Sequence, residues 1–181
     1  PIYYMLSLNI KYFYNDKIPF DWEVKLFSEI FYFIKSYSFS RELLTDSRTR
    51  DQIRCIHYGD IHSTYKNEIL NLNTQNIIPY LIDDIFDLKD LDNKNFPLIR
   101  EGDLIIADVS EDYVGVCKCI ELKNVKNNKI IAGLHTLAAR SSEEQIAFGF
   151  RTYVLKHNQV IKILRKIATG TSVYGISKFN L

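Results

Sequence analysis

Apolar residues recur along this chain with two different spacings, and the change from one to the other divides it. From Ile53 onward, short runs of branched and aromatic residues are separated by Gly, Asp and Asn, the pattern of strands joined by turns. Ile53–Tyr58 is one run, closed by Gly59-Asp60. Leu104–Val109 follows the turn Glu101-Gly102-Asp103, Val114–Leu122 begins just before Gly115, and Lys129–Ala138 follows Asn127-Asn128. A repeat of roughly 10–15 residues with turn residues between predicts a mostly antiparallel, curved sheet. Later the spacing turns helical. Ser142-Glu143-Glu144-Gln145 has the form of a capping box, and Phe150, Tyr153 and Val154 follow at helical intervals. Asn158 is expected to cap a second helix with Val160, Ile161, Leu164, Ile167 and Ala168 on one face, and Gly170 to close it. The expected fold class is α/β in the α+β sense: a curved, mostly antiparallel sheet with polar loops and C-terminal helices.

The ends and linkers are less regular. Residues 2–14 are rich in aromatics (Tyr3, Tyr4, Tyr12, Phe13, Tyr14) and read as the tail of a preceding helix. Residues 1–18 are therefore set apart as that tail or a linker, and residues 19–181 as one domain. Pro19-Phe20-Asp21-Trp22 reads as an extended lead-in, because Pro disfavours helix just before itself. Residues 24–34 read as a short strand followed by a helical turn, 44–52 as a polar loop carrying Arg48 and Arg50, and 83–95 as an acidic linker. The chain begins at Pro1 without a Met, so it is expected to be a fragment.

Composition narrows the class. A length of 181 residues with 46% hydrophobic and 25% charged residues suits one globular domain with a sizeable core. No apolar run approaches the roughly 20 residues that span a bilayer, so no membrane partner is expected. Three cysteines, an odd number, argue against a disulfide framework and for a reducing cytoplasm. The net charge of +1 conceals an asymmetry. Residues 118–181 carry 11 Lys/Arg against 3 Asp/Glu, a balance of +8, whereas residues 1–117 carry 12 against 19, a balance of −7. Such segregation points to one basic face suited to a polyanion.

Four constellations are candidates for chemistry. Asp108 with Glu121-Leu122-Lys123 mimics the D…ExK pattern of Mg²⁺-dependent nucleases, in which two carboxylates hold the metal and the Lys polarises a water or phosphate. A hairpin with a solvated charged face explains the same residues. Cys117-x-Cys119 and Cys55-x-His57 each place two ligand types on one face of a strand, as a zinc site needs, but neither has C-x₂-C spacing, and strand cysteines suit a core. No G-x-S-x-G elbow, P-loop or G-x-G-x-x-G is present, so no nucleotide cofactor is expected. The fourth group is borne by loops. It comprises Arg48 and Arg50, then His57, Tyr58 and His62 around Gly59, with Tyr65 and Lys66 just beyond. Thr171 and Ser172 follow the basic helix end Arg165-Lys166. Hydroxyls and glycine-exposed N–H groups suit phosphates, while Arg and His suit base edges.

Six pieces in order carry a family resemblance. They are Asp21–Leu26, Ser38-Phe39-Ser40-Arg41-Glu42-Leu43, Ile56-His57-Tyr58-Gly59-Asp60-Ile61-His62, Leu98–Ile105, Gly133-Leu134-His135-Thr136, and Gly170-Thr171-Ser172 through Ile176-Ser177. In that order, from Trp22 to Leu181, the chain resembles the target recognition domain of type I restriction–modification specificity subunits. The resemblance implies a non-catalytic, cytoplasmic reader of one half of a split site in double-stranded DNA. It also implies a modification methyltransferase subunit and a restriction subunit as partners, recruited through conserved helices of which one is expected beyond Leu181. On this reading the DNA-contacting candidates are Ser40, Arg41, Arg48, Arg50, His57, Tyr58, His62, Tyr65, Lys66, His135, Arg140, Lys166, Thr171, Ser172, Tyr174 and Lys178. A D…ExK nuclease and a protein-interaction module that binds no DNA remain the alternatives.

Overall fold

The computed structural model describes residues 3–7, 22–50, 52–75, 77–82, 85, 96–142 and 146–181. In chain order the first elements are β1 (Tyr3–Ser7), β2 (Trp22–Leu26), the helical turn α1 (Phe27–Ile30), β3 (Phe31–Ile34) and β4 (Leu44–Thr45). Then come β5 (Ile53–Ile56), α2 (Tyr58–Ser63), β6 (Ile69–Asn71), β7 (Tyr80–Leu81), β8 (Leu104–Ala107) and β9 (Val109–Ser110). They are followed by β10 (Cys119–Lys123), β11 (Lys129–Ala132), β12 (Thr136–Ser141), α3 (Phe150–Lys156), α4 (Asn158–Ile167) and β13 (Tyr174–Gly175). Two larger sheets dominate, a five-stranded one in the order β3-β12-β8-β10-β6 and a four-stranded one in the order β11-β5-β7-β4. The pairings are mostly antiparallel; β10 with β6 and β11 with β5 run parallel. The fold is thus α+β, as the sequence pattern predicts.

Alternation along the central strands explains how the layers stack. Leu104 and Ile106 of β8 and Cys119 of β10 join α3 and α4 in one apolar cluster with Leu155, Val160 and Leu164. Ile105 and Ala107, with Ile120 and Leu122, join the opposite cluster, which takes in Ile56 of β5 and Ile130 and Ala132 of β11. The five-stranded sheet is therefore covered by helices on one face and by the second sheet on the other. Successive side chains of a strand point to opposite faces, so a strand covered on both must be apolar throughout.

Several sequence expectations change at the boundaries. The run Lys129–Ala138 is two strands in two sheets. At Gly133 the chain leaves β11, passing so close to β5 that an added Cβ would stand 2.6 Å from Cys55 Sγ. His135, at φ 53°, then turns it into β12, antiparallel to β8 and β3. The run Val114–Leu122 keeps only its second half as strand, because residues 110–118 fold into a local loop pinned by Asp112 Oδ1, which accepts from Gly115 N at 2.5 Å. Gly59-Asp60 is the first turn of α2 rather than a reverse turn. Tyr3–Ser7 is a strand parallel to β2, not a helix tail, because it finds a ladder partner; the rest of residues 1–18 lies outside the described residues, as do Pro19–Asp21 and most of 83–95. Glu143–Gln145 of the expected capping box also lie outside them; Ser142 Oγ donates to Ile30 O, and the helix starts at Phe150. Gly170 does not cap α4. It sits at φ 117° within a turn closed by the Thr169–Gly175 bridge. The strand followed by a helical turn over 24–34 is present as β2 and α1, with β3 added.

Two buried ion pairs interrupt the apolar layers. Glu121, on the helix-facing side of β10, is 0% exposed and accepts from Arg151 Nη1 at 2.6 Å and from Gly149 N at 2.9 Å. Asp103 receives Arg140 through two bonds, Nε to Oδ1 at 2.8 Å and Nη2 to Oδ2 at 2.7 Å. Removing one partner of such a pair strands the other charge in a poor solvent. Arg151→Ala is predicted to lower the unfolding free energy by about 3–5 kcal/mol in chemical denaturation; a loss near zero would mean that Glu121 needs no counter-charge.

Candidate nucleic-acid interface

β9 is two residues long, yet three other segments meet on it or on Asp108 just before it. β13 pairs with it in antiparallel fashion, and Ile176 N donates to Asp108 O just before it at 2.7 Å. Asp108 N donates to His135 O at 3.2 Å, which docks the Gly133–His135 turn. From α2, His62 Nε2 reaches Val109 O at 2.9 Å, so this nitrogen carries the proton. Tyr58 N donates to Leu134 O at 3.3 Å. The side chains follow the backbone. The Tyr58 ring stands edge-on to His135 at 5.4 Å and to His62 at 6.2 Å, and His57 lies against its other side at 4.6 Å. His135 Nδ1 is 3.2 Å from Asp108 Oδ1, with the imidazole about half exposed at 47%. Burial pushes the Asp108 carboxyl above its ordinary range, while His135 pulls it down. Thr171 and Ser172 are exposed in the turn before β13, and Tyr174 packs edge-on against Tyr113 at 5.5 Å. Tyr58, His62 and His135 are thus brought together, while Thr171, Ser172 and Tyr174 stand on the segment that pairs with β9.

His57 stands behind that surface as a structural cap. Its Nδ1 accepts from Gly59 N at 3.1 Å, and its own N–H points at Asp60 Oδ2 at 3.4 Å. Only a neutral ring with Nδ1 unprotonated can do this. Burial accordingly lowers the His57 pKa from its ordinary value near 6.5; Asp60 opposes the shift, and Arg41 and His135 add to it. Arg41 is brought to the same helix end by an ion pair with Asp60 at 2.6 Å, following Ser40, whose carbonyl accepts from Leu43 N.

The remaining predicted contacts stand elsewhere. Arg48, bonded to Gln52 Oε1 at 2.9 Å, and Arg50 are exposed on the loop after β4, the edge strand of the second sheet. Lys66 is exposed beyond α2, and Lys166 on the last turn of α4. Lys178 is exposed, its Nζ 5.4 Å from the Phe179 ring. Tyr65 is not a surface reader: it is 3% exposed among apolar residues, which pushes its hydroxyl pKa up. Arg140 is not a free donor either, being held by Asp103 and by Leu98 O at 2.8 Å.

The metal constellations do not assemble. Glu121 pairs across the ladder with Leu104, four residues from Asp108. At strand rise that separation is about 13 Å, and Glu121 is already spent on Arg151. Lys123 Nζ stands 5.1 Å from the Phe148 ring. Cys55 belongs to the apolar cluster on the outer face of the second sheet, with Ile53, Leu81 and Ile131, whereas Cys117 and Cys119 belong to the helix-side cluster. Burial pushes the Cys55 and Cys117 thiols up to about 12, the opposite of what a metal-ligating thiolate needs. Among the described residues no three His, Cys, Asp or Glu side chains are grouped to hold a metal ion.

Sequence reasoning missed Lys118 and the role of residues 110–118. This loop, α2 and α4 enclose a cleft of about 740 Å³ beside the Tyr58 cluster, lined by Lys118, Lys156 and Arg165. Arg165 was visible only as part of a basic helix end, and nothing in the local sequence pairs Lys118 with His62 O, to which it donates at 2.9 Å. No helix among the described residues is long and apolar enough to cross a membrane. No protein-family model matches this chain, and neither does any curated protein.

The His57 cap makes stability depend on pH with a definite sign. Its folded pKa lies below its unfolded one, so as pH falls the unfolded chain takes up the proton first. The cap's contribution is complete above about pH 6.5 and is lost as pH falls from there through the folded value. His57→Asn keeps a capping acceptor and removes the titration. Urea melts at about pH 7.5 and about pH 5.5 are predicted to show a smaller acid loss for His57→Asn than for the wild type. An equal loss in both would place the acid sensitivity elsewhere.

Proposed function

We propose that this chain binds double-stranded DNA sequence-specifically, as the half-site recognition domain of a type I restriction–modification specificity subunit. One observation carries the reading: six residues singled out as base or phosphate donors lie on three segments that meet at β9. Short polar loops on a rigid, doubly covered sheet are the arrangement in which readers can vary without disturbing the core. The flanking cations supply a sequence-independent attraction: Lys166 ends α4, and Lys178 stands three residues past β13. In this reading the chain performs no catalysis itself. A modification methyltransferase subunit and a restriction subunit supply the chemistry, and the cytoplasm is the setting.

On this reading the contacts are of two kinds. Lys166 and Lys178, exposed and without a role in the cluster, address phosphates. His135 and Tyr58, held in place by Asp108 and by each other, address base edges. Duplex binding is predicted to weaken with salt, log affinity falling against log salt with a slope of about −0.9 per phosphate contacted. A flat salt titration, or no duplex binding at low salt, would overturn the DNA reading and leave a protein-interaction module.

Substitution separates the two classes. Lys166→Ala is predicted to weaken all sequences alike and to reduce the salt slope by about one. His135→Ala is predicted instead to relax preference at one or two base pairs, each worth about 1–3 kcal/mol. A randomised-site selection distinguishes them; the reverse pattern would show the assignment of contacts to be wrong.

A further inference from the structure

The cleft beside the Tyr58 cluster has a charge arrangement that the reader surface does not use. Three cations line it from three separate segments: Lys118 before β10, Lys156 at the end of α3, and Arg165 on α4. Lys156 is ion-paired with Glu68. The other two are half-buried and, among the described residues, donate to backbone carbonyls, Lys118 Nζ to His62 O at 2.9 Å and Arg165 Nη2 to Val114 O at 2.6 Å, with the Arg165 guanidinium also 6.0 Å from the Tyr113 ring. Among the described residues, buried Arg165 Nε has no hydrogen-bond partner. A carbonyl satisfies a donor without neutralising the charge, so both guanidinium and ammonium remain available to an anion. The start of α4 adds to the field. Asn158, its first residue, lines the cleft, no side chain caps this helix, and its first turn holds no acidic residue. Two exposed carboxylates, Glu111 and Asp112, line the cleft as well, and Asp112 keeps its charge although it accepts from Gly115 N.

We propose that this cleft binds a phosphate group carried on a nucleotide-sized ligand. Its volume of about 740 Å³ lies in the range of small-molecule sites and well above what a lone phosphate fills. Tyr58, Val114 and Ile161 offer apolar surface to a planar ring, and Glu111 is placed in the lining to accept from hydroxyls. Lys118, Arg165 and the uncapped start of α4 take the phosphate. The phosphate can come from a free nucleotide or from the backbone of bound DNA; the chemistry at the cations is the same. The site is defined without the DNA reading and stands or falls separately from it.

The test uses AMP as the probe, in calorimetry at low salt, with adenosine as the uncharged control. AMP is expected to bind in the millimolar range or tighter, and adenosine not to. Asn158→Asp is the informative variant, because an acid at a helix start favours the helix but repels an anion. Its melting temperature is expected to be unchanged or raised while AMP affinity falls about tenfold. Lys118→Gln keeps a donor for His62 O and is expected to weaken AMP several-fold; Glu111→Gln is expected to strengthen it. A short duplex then separates the sources. If it displaces AMP competitively, or if Asn158→Asp weakens duplex binding where AMP itself fails to bind, the cleft takes a backbone phosphate. If AMP and duplex bind together, the cleft takes a free nucleotide. No AMP binding, together with duplex affinity unmoved by Asn158→Asp and Lys118→Gln, would overturn the proposal. The DNA reading would survive that result if the wild type still bound duplex in a salt-dependent way.

Discussion

Burial of β8 on both faces is the constraint on which the rest of this molecule depends. Leu104, Ile105, Ile106 and Ala107 are each at most 1% exposed, with α3 and α4 against one side and β5 and β11 against the other. Burying such side chains contributes about 1.5–3 kcal/mol each for the larger ones, and the burial requires every neighbouring element to be in register. A slip of one residue in β10 or β12 would exchange the helix-facing and sheet-facing sets and carry Glu121 away from Arg151. The pair therefore does more to specify the alignment of β10 against α3 than to add net stability, since desolvation offsets much of its attraction.

The candidate interface is what this core leaves over at one end. β8 runs out at Ala107, and the next two residues, Asp108 and Val109, are the first on that path to be only half-buried. Their backbone groups still need partners. α2, the His135 turn and β13 provide them, and in doing so bring their side chains together. The cluster is thus a consequence of backbone satisfaction at a strand end. His135 shows the cost: a non-glycine residue held at φ 53°, fixed by Asp108 on one side and Tyr58 on the other. Left-handed backbone of this kind persists only when the surroundings over-determine it.

The basic character of the last third of the chain also takes a particular form in space. Arg140 and Arg151 are consumed by Asp103 and Glu121 inside the protein. Lys118, Arg165, Lys166 and Lys178 are left on or beside the surface around α4 and β13. An excess of positive charge counted along the sequence is therefore partly structural and partly available, and only the second part is relevant to a polyanion.

Local pattern alone determined a good deal. Alternating and continuous apolar runs marked β5, β8, β10 and β11 to within a few residues, and helical spacing marked α3 and α4, because side-chain period follows directly from backbone geometry. The candidates Tyr58, His62, Thr171 and Ser172 were legible as polar residues near glycines, and the resemblance in motif order added His135 to them. What sequence could not show was partnership. Whether Arg140 reads a surface or neutralises Asp103, whether Tyr65 is a reader or core, and whether Lys129–Ala138 is one strand or two all depend on residues tens of positions away. So does the cleft, whose cations come from three segments. Those outcomes were decided by tertiary packing, because burial, and with it the need of each charge or N–H for a particular partner, exists only once the two sheets and the helices have closed on one another.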